Sequence, residues 1–202
     1  MNSLDKSEYL HKYNERLDLY GYDARSIGWA GGLSRQNTRF KALTSIGVKP
    51  FDSVIDLGCG FGDLNKYLSK QIYNCQYVGI DINEKLLAIA REMNPEVDFH
   101  CLDILEDSHC LSSDWVIASG IFNARLRNEG HLEYVKEMMA SMFAICKKGI
   151  SVDFMTTNVD YMNINAFHLD PANAIKLGNE LSSRINLKMD YLKYEFNLQI
   201  YK

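Results

Sequence analysis

The segment Val54-Ile55-Asp56-Leu57-Gly58-Cys59-Gly60-Phe61-Gly62 constrains the fold of this chain more than any other part of its sequence. An apolar run leads into an acidic residue, then into three alternate glycines, and then into an amphipathic stretch at 63–70. Because glycine lets the backbone turn sharply and approach a ligand closely, the pattern predicts a strand, a ligand-binding loop and a helix. The nicotinamide-binding fingerprint G-x-G-x-x-G would need a glycine at position 63, which is Asp63, so a dehydrogenase is disfavoured.

Short apolar runs alternate with amphipathic stretches from residue 53 onward, which is typical of a mostly parallel α/β sheet. Strands are predicted at 53–57, 76–80, 97–102, 115–118 and 149–154, and helices at 63–70, 84–93, 133–146 and 171–184. Near the C-terminus, two further strand-like runs at 187–192 and 195–201 are joined by about two residues. So short a connection forces an antiparallel hairpin, because a parallel crossover needs a dozen or more residues.

Residues 1–50 form a separate N-terminal segment with the pattern helix, break, helix. Helices are predicted at 4–20 and 35–46, and the glycine-rich stretch 26–33 between them surrounds Trp29. We expect this segment to be a lid that becomes ordered over a ligand bound to the domain at 51–202. Trp29 is either a satellite core residue or an aromatic wall over that ligand.

Composition limits the classes of partner. The 202 residues are 47% hydrophobic and 24% charged, which suits one compact domain. The net charge of −4 argues against a protein that neutralises many nucleic-acid phosphates. No apolar run approaches the roughly 20 residues of a membrane span, and the N-terminus lacks the pattern of a signal peptide, so we expect a cytoplasmic protein that does not bind membranes.

The five cysteines argue against a disulfide framework or a zinc site, because their number is odd and none forms a C-x-x-C pair. We expect most of them to be small buried residues. No other metal site is expected, because the ends of the fourth and fifth predicted strands lack carboxylates that could ligate a metal. The fourth strand ends in Ser119, the fifth is followed by Met155-Thr156-Thr157, and Asp153 lies inside the fifth strand.

Polar residues follow the successive predicted strands. Asp81 ends the second strand about 20 residues beyond the glycine loop, where a carboxylate can accept hydrogen bonds from both hydroxyls of a ribose. Asp103 follows the third strand and could accept from an adenine amine, or it could simply cap a helix. The fourth strand opens into a small-residue loop at Ser119-Gly120.

In order and spacing, these segments over roughly 53–150 resemble the motifs of class I methyltransferases that use S-adenosylmethionine (SAM). The resemblance implies a Rossmann-like domain with a mostly parallel seven-stranded sheet, SAM as cofactor and S-adenosylhomocysteine (SAH) as product. It implies that Asp81 holds the ribose, and that the adenine lies against Ile82, Asp103 and Ile104. The methionine half would be lined by Asp56, Gly58, Cys59, Gly60, Gly62 and Ser119.

Arg39 has two interpretations. It is either a solvated charge on its helix or the partner of the SAM carboxylate, a contact that suits a planar bidentate donor. Arg35, on a different face of the same helix, is the rival for that second role.

A narrower resemblance covers nearly the whole chain. It is to a group of small bacterial methyltransferases, some of which sit among enzymes that build surface polysaccharides. The residues that carry it are Gly28-Trp29, Gln36, Arg39-Phe40, Ser119-Gly120-Ile121-Phe122-Asn123, Val159-Asp160-Tyr161, Asp170-Pro171, Asp190-Tyr191-Leu192 and Tyr194-Glu195-Phe196.

The sequence predicts methyl transfer to an oxygen or nitrogen of a small polar molecule, with a surface-glycan precursor as the leading acceptor class. Protein or RNA methylation and non-catalytic SAM binding are the alternatives, and the oligomeric state stays open. Candidate groups for catalysis are His131, His168 and Tyr161. The acceptor pocket is expected above the carboxyl ends of the strands, with walls from Phe122, Asn123, Tyr161, His168 and Tyr191.

Overall fold

The computed structural model describes residues 3–28, 32–108, 110–126 and 130–202. Its sheet contains eight strands: β1 Ser53–Leu57, β2 Gln76–Asp81, β3 Asp98–Cys101, β4 Ser113–Ala118, β5 Cys146–Thr156, β6 His168–Leu169, β7 Ile185–Lys188 and β8 Glu195–Tyr201. Seven of them lie in the order β3-β2-β1-β4-β5-β8-β7, and the two-residue β6 pairs with the end of β5. The first five strands are mutually parallel, whereas β8 is antiparallel to both β5 and β7.

Six helices lie within the described residues: α1 Ser3–Tyr20, α2 Gly32–Thr44, α3 Asp63–Gln71, α4 Glu84–Met93, α5 His131–Ile145 and α6 Pro171–Leu181. Side-chain caps fix two of their starts, since Asn83 accepts from two backbone N–H groups of α4 and Asp170 accepts from two of α6. Pro171 follows Asp170 as the first residue of α6, where its missing N–H costs nothing.

The helices cover both faces of the sheet because neighbouring residues of each strand point to opposite sides. On one face, Val116 packs with α5 and α6 in a cluster that contains Met139 and Leu177. On the other, Trp115 and Ile117 pack with α2 and α3. The predicted α/β fold, with a mostly parallel sheet and an antiparallel C-terminal hairpin, is therefore confirmed.

Two details of the predicted sheet differ. The hairpin loop spans residues 189–194 rather than about two residues, because β7 ends at Lys188 and Tyr194 adopts a left-handed φ of 71° immediately before β8. The sheet also has one strand more than the seven predicted. The additional strand is β6, whose two residues are too short to show an alternating pattern.

The expectation about the cysteines was wrong. Only Cys59 and Cys146 are buried, whereas Cys101 and Cys110 are exposed, because the first lies on edge strand β3 and the second in the loop after it. No helix among the described residues is long and apolar enough to cross a membrane.

Candidate active site

The glycine loop joins β1 to α3 at the carboxyl edge of the sheet. Gly58 has a left-handed φ of 72°, and a Cβ placed on it would lie 2.3 Å from Cγ2 of Ile121. Any larger residue would therefore force the Ile121 side chain, in the loop after β4, to shift. The Gly60 N–H donates to Oδ2 of Asp81 at 2.9 Å, and the Asn83 N–H donates to its other oxygen at 2.9 Å. The carboxylate at the end of β2 is thus attached to the glycine loop.

A cavity of about 1330 Å³ lies above this loop, over the carboxyl ends of the central strands. A cavity of that volume can hold a cofactor together with a small acceptor. The predicted site residues that line it are Arg39, Asp56, Gly58, Cys59, Gly60, Asp81, Ile82, Ser119 and Asn123.

The floor of the cavity near the glycine loop is acidic. Asp56 is only 3% exposed and accepts a hydrogen bond of 2.7 Å from the hydroxyl of Tyr77. Burial raises the pKa of Asp56 to about 7, and the nearby carboxylates of Asp81 and Asp63 act in the same direction, against the hydrogen bond from Tyr77. A positively charged ligand would relieve this repulsion and favour the ionised form.

Arg39 also lines the cavity, and it is an ion-paired residue rather than a solvated helix charge. It is 7% exposed, and its Nε and Nη2 lie 2.8 and 2.7 Å from Oε2 of Glu195. Its Nε is also 3.2 Å from Asp153, which in turn accepts from the Gly120 N–H at 2.7 Å. Arg35, the proposed rival, pairs with the second oxygen of Glu195 at 3.0 Å.

Sequence reasoning missed the two carboxylates of this cluster. Asp153 was considered only as a metal ligand, although an acid inside an apolar strand is a signal that a buried cation lies nearby. Tyr191, an expected acceptor contact, lies next to the cluster, and burial raises the pKa of its hydroxyl, assisted by Asp153 and Glu195.

Helix α1 lines the cavity opposite the sheet, with Tyr9 and Tyr13 forming a ring pair whose centroids are 4.5 Å apart. Burial raises the pKa of both phenols, and the Asp81 carboxylate acts in the same direction on each. The helix is attached at both ends, because Lys6 pairs with Asp103 at 3.0 Å and Leu17 packs in a cluster with residues of α4. Residues 1–50 thus include a cover over the expected ribose position.

Three residues expected at the cofactor lie outside the cavity wall. The Asp103 carboxylate is paired with Lys6 and accepts from the Leu105 N–H. Ile104 is buried in the main core, and Gly62 is the N-cap of α3, where a Cβ would meet the ring of Phe99. Trp29 lies outside the described residues.

The histidine candidates for a general base also lie outside the cavity wall. His131 stacks on Phe167 with ring centroids 3.7 Å apart, and its Nδ1 accepts from the Leu126 N–H. Burial lowers the pKa of His131 to about 4, so this ring is neutral at pH 7 and a weak base. His168 lies on β6, with Nδ1 2.8 Å from the carbonyl oxygen of Thr156.

Of three residues expected to contact the acceptor, Phe122 and Tyr161 lie outside the cavity wall and Asn123 lines it. Phe122 is 1% exposed and stacks on Phe154 in the core, whereas Tyr161 is 78% exposed and outside the cavity wall. Asn123 lines the cavity, and its Oδ1 is buried with no hydrogen-bond partner among the described residues.

The wall around Asn123 is built from two loops that are tied together. The loop after β4 and the segment before β6 meet at a bridge between Ala124 and Ala166, and the Arg125 N–H donates to the Asn165 carbonyl at 3.1 Å. Arg125, Asn163 and Asn165 also line the cavity. This end therefore presents amides and a guanidinium, whereas the glycine-loop end presents carboxylates.

Comparison with known proteins places this site in a family. A sequence family described as a methyltransferase domain matches residues 54–149 of this chain. A Mycobacterium tuberculosis protein named as a methyltransferase is 30% identical over 164 residues, covering 76% of this chain and 94% of that protein.

Solved structures show the same fold. Magnesium protoporphyrin IX methyltransferase from Synechocystis with bound SAH has a TM-score of 0.71 at 18% identity, covering 98% of this chain and 99% of the other. Human N-acetylserotonin methyltransferase in complex with SAM has a TM-score of 0.68 at 16% identity, covering 95% of this chain and 57% of the other.

Proposed function

The chain belongs to the methyltransferase family, and from that premise we propose that it transfers the methyl group of SAM to an oxygen or nitrogen of a small polar molecule. The observation that carries the proposal is one cavity with two chemically different ends. The acidic end, at Asp56 and Asp81, suits a cofactor that carries a positive sulfonium. The amide-rich end, at Asn123, suits an acceptor that carries hydrogen-bonding groups.

In this proposal the chain mainly binds, orients and excludes water. Asp81 holds the ribose hydroxyls, and the glycine loop and Ser119 line the methionine half. Bound SAM supplies an already activated methyl carbon, so catalysis requires chiefly that the acceptor atom be held in line with it. Tyr9 and Tyr13 of α1 cover the ribose region and keep water out.

Asn123 has the geometry of an acceptor contact. It follows Ser119 and Gly120, and its Nδ2 is 3.6 Å from the point where a Cβ on Gly120 would lie. Its side-chain amide lines the cavity and can hydrogen-bond to the O–H or N–H group that receives the methyl. Such a contact orients the acceptor atom toward the methyl carbon. The acceptor's O–H or N–H proton is then released to water after the methyl transfer, since His131 lies away from the cavity.

A surface-glycan precursor is our proposed acceptor class. Asparagine carboxamides and tyrosine rings line the cavity wall, and together they suit the hydroxyls and flat faces of a sugar. The narrower sequence resemblance supports the same class.

The test is SAH formation from SAM by the purified protein with separate panels of nucleotide sugars and sugar phosphates, peptides, and RNA. We expect turnover with the sugar panel only. Asn123→Ala should lower that turnover at least about tenfold, because one oriented hydrogen bond is lost, while SAH affinity stays within about twofold. Asn158→Ala, in the turn after β5 and absent from the cavity wall, is the matched control.

Turnover of peptides or RNA in place of sugars would refute the acceptor class. Binding of SAM without turnover in a metabolite extract would favour a non-catalytic SAM-binding protein. Failure to bind either SAM or SAH would refute the proposed function as a whole.

A further inference from the structure

We propose that Arg16 of α1, rather than Arg39, holds the carboxylate in the methionine half of the cofactor. The inference rests on the proposed use of SAM and adds the residue that recognises its amino-acid end. Three observations carry it: the ion pairs of Arg39 and Arg35, the position of Arg16 beside the glycine loop, and the second cation next to it on the helix.

Two cations of α2 on the cavity wall already have carboxylate partners. Arg39 pairs with Asp153 and Glu195, and Arg35 pairs with Glu195, so this cluster holds two cations and two anions. Another carboxylate placed there would face two existing ones. Arg16 also lines the cavity, and no carboxylate of the described residues lies within ion-pair distance of its guanidinium.

The position of Arg16 follows from its contacts with the turn after α1. Its Nη1 lies 3.1 Å from the point where a Cβ on Gly28 would be, and the hydroxyl of Tyr13 lies 4.0 Å from the same point. The adjacent residue, Ile27, packs over Gly60, with 3.3 Å between its Cγ2 and a Cβ placed there. The guanidinium therefore lies beside Gly28. The residue before Gly28, Ile27, contacts the glycine loop at Gly60.

The backbone holds Arg16 in that position. Its carbonyl accepts from the hydroxyl of Ser26 at 3.3 Å, and the same hydroxyl lies 2.7 Å from the carbonyl of Gly21. Ser26 is fully buried, so this link joins α1 firmly to the turn that precedes Gly28.

A second cation lies beside Arg16 on α1. Lys12 lies one helical turn earlier and also lines the cavity. Burial and the positive charge of Arg16 both lower the pKa of Lys12, as expected for two like charges on one helix face. A carboxylate bound by the planar guanidinium of Arg16 would relieve this repulsion with two parallel hydrogen bonds.

The experiment compares two ligands by isothermal titration: SAH and 5′-methylthioadenosine, which keeps the adenosine and the thioether but lacks the amino-acid half. For Arg16→Gln we expect the SAH affinity to fall about tenfold to hundredfold, the range for a lost charge-assisted contact. The methylthioadenosine affinity should stay within about twofold, which also shows that the variant is folded. Arg16→Lys should restore part of the loss, and Lys12→Gln should have a smaller effect.

Arg39→Gln provides the comparison with the sequence-based assignment. A selective loss of SAH affinity in Arg39→Gln, with Arg16→Gln unchanged, would overturn the proposal in favour of Arg39. Equal losses for both ligands in Arg16→Gln would also overturn it, because they would show a structural role. Wild-type protein that binds neither ligand would instead refute the use of SAM, so the two failures are distinguishable.

Discussion

Asp56→Asn should stabilise the free protein strongly at pH 8 and hardly at all at pH 4. The Asp56 carboxyl is buried beside two other carboxylates, and its pKa in the folded protein is about 7 against an ordinary value of 3.8. Because the folded pKa lies above the unfolded one, the folded protein holds a proton between these values that the unfolded chain has released. The stability that depends on this proton is complete below about pH 4 and is lost as the pH rises to about 7.

The size of the effect follows from the same difference. Each pKa unit corresponds to about 1.4 kcal/mol, so the ionised carboxylate at pH 8 costs about 4 kcal/mol compared with one that stays in water. Asparagine keeps the shape and still accepts the hydrogen bond from Tyr77, which is 2.7 Å long in the wild type. We therefore expect Asp56→Asn to raise the free energy of unfolding by about 2–4 kcal/mol at pH 8.

Urea denaturation of both proteins at pH 4.5 and pH 8 measures this difference. Asp98→Asn is the control, because it makes the same chemical change at an exposed position of β3 and should leave stability unchanged at either pH. A stabilisation by Asp56→Asn that is equal at both pH values would refute the reasoning, as would a loss of stability at pH 8.

The same variant separates stability from binding. The carboxylate is an advantage only when a cation lies nearby, so Asp56→Asn should weaken SAM, with its positive sulfonium, about tenfold more than neutral SAH. Equal losses for the two ligands would show that Asp56 does not respond to the sulfonium.

Three further predictions follow from the contacts of the site. Asp81→Asn should lower SAH affinity at least about tenfold, because an amide replaces the charged acceptor of the ribose hydroxyls, and unchanged affinity in calorimetry would remove Asp81 from that role. Lys6→Gln should increase amide hydrogen exchange across 3–20 in the free protein, because it breaks the pair with Asp103 at 3.0 Å, and exchange equal to wild type would show that this pair does not hold α1. His131→Phe should keep turnover within about threefold, since the ring packs on Phe167, and a loss of a hundredfold or more would restore His131 as a catalytic candidate.

Local patterns in the sequence were sufficient for most of the fold. The apolar runs that became β1 and β4 are central strands buried on both faces, so hydrophobicity alone marks them. The glycine loop was predictable because left-handed backbone at Gly58 leaves few other residue types possible. These features depend on neighbours within a few positions along the chain.

The parts of the site that escaped prediction depend on pairings between distant positions. Arg39 and Glu195 are 156 residues apart in sequence, and nothing beside either residue specifies the other. Phe122 and Asn123 are adjacent, yet one is in the core and the other on the cavity wall, because the turn after β4 points their side chains in opposite directions. A run of consecutive residues in a loop therefore indicates a site but not which of its side chains face the ligand.

The α1 cover and the Arg39 cluster have a common consequence for how the cavity would close. α1 contributes Tyr9, Tyr13 and Arg16 to the wall, and α2 contributes Arg39, so both helices of the N-terminal segment contact the cavity. Arg39 is held by carboxylates of β5 and β8, which attach α2 to the sheet. If Arg16 finds its anion only on the cofactor, α1 gains its last attachment when the cofactor binds. Closure over the acceptor would then depend on the amino-acid half of the cofactor, which is bonded to the same sulfur as the transferred methyl group.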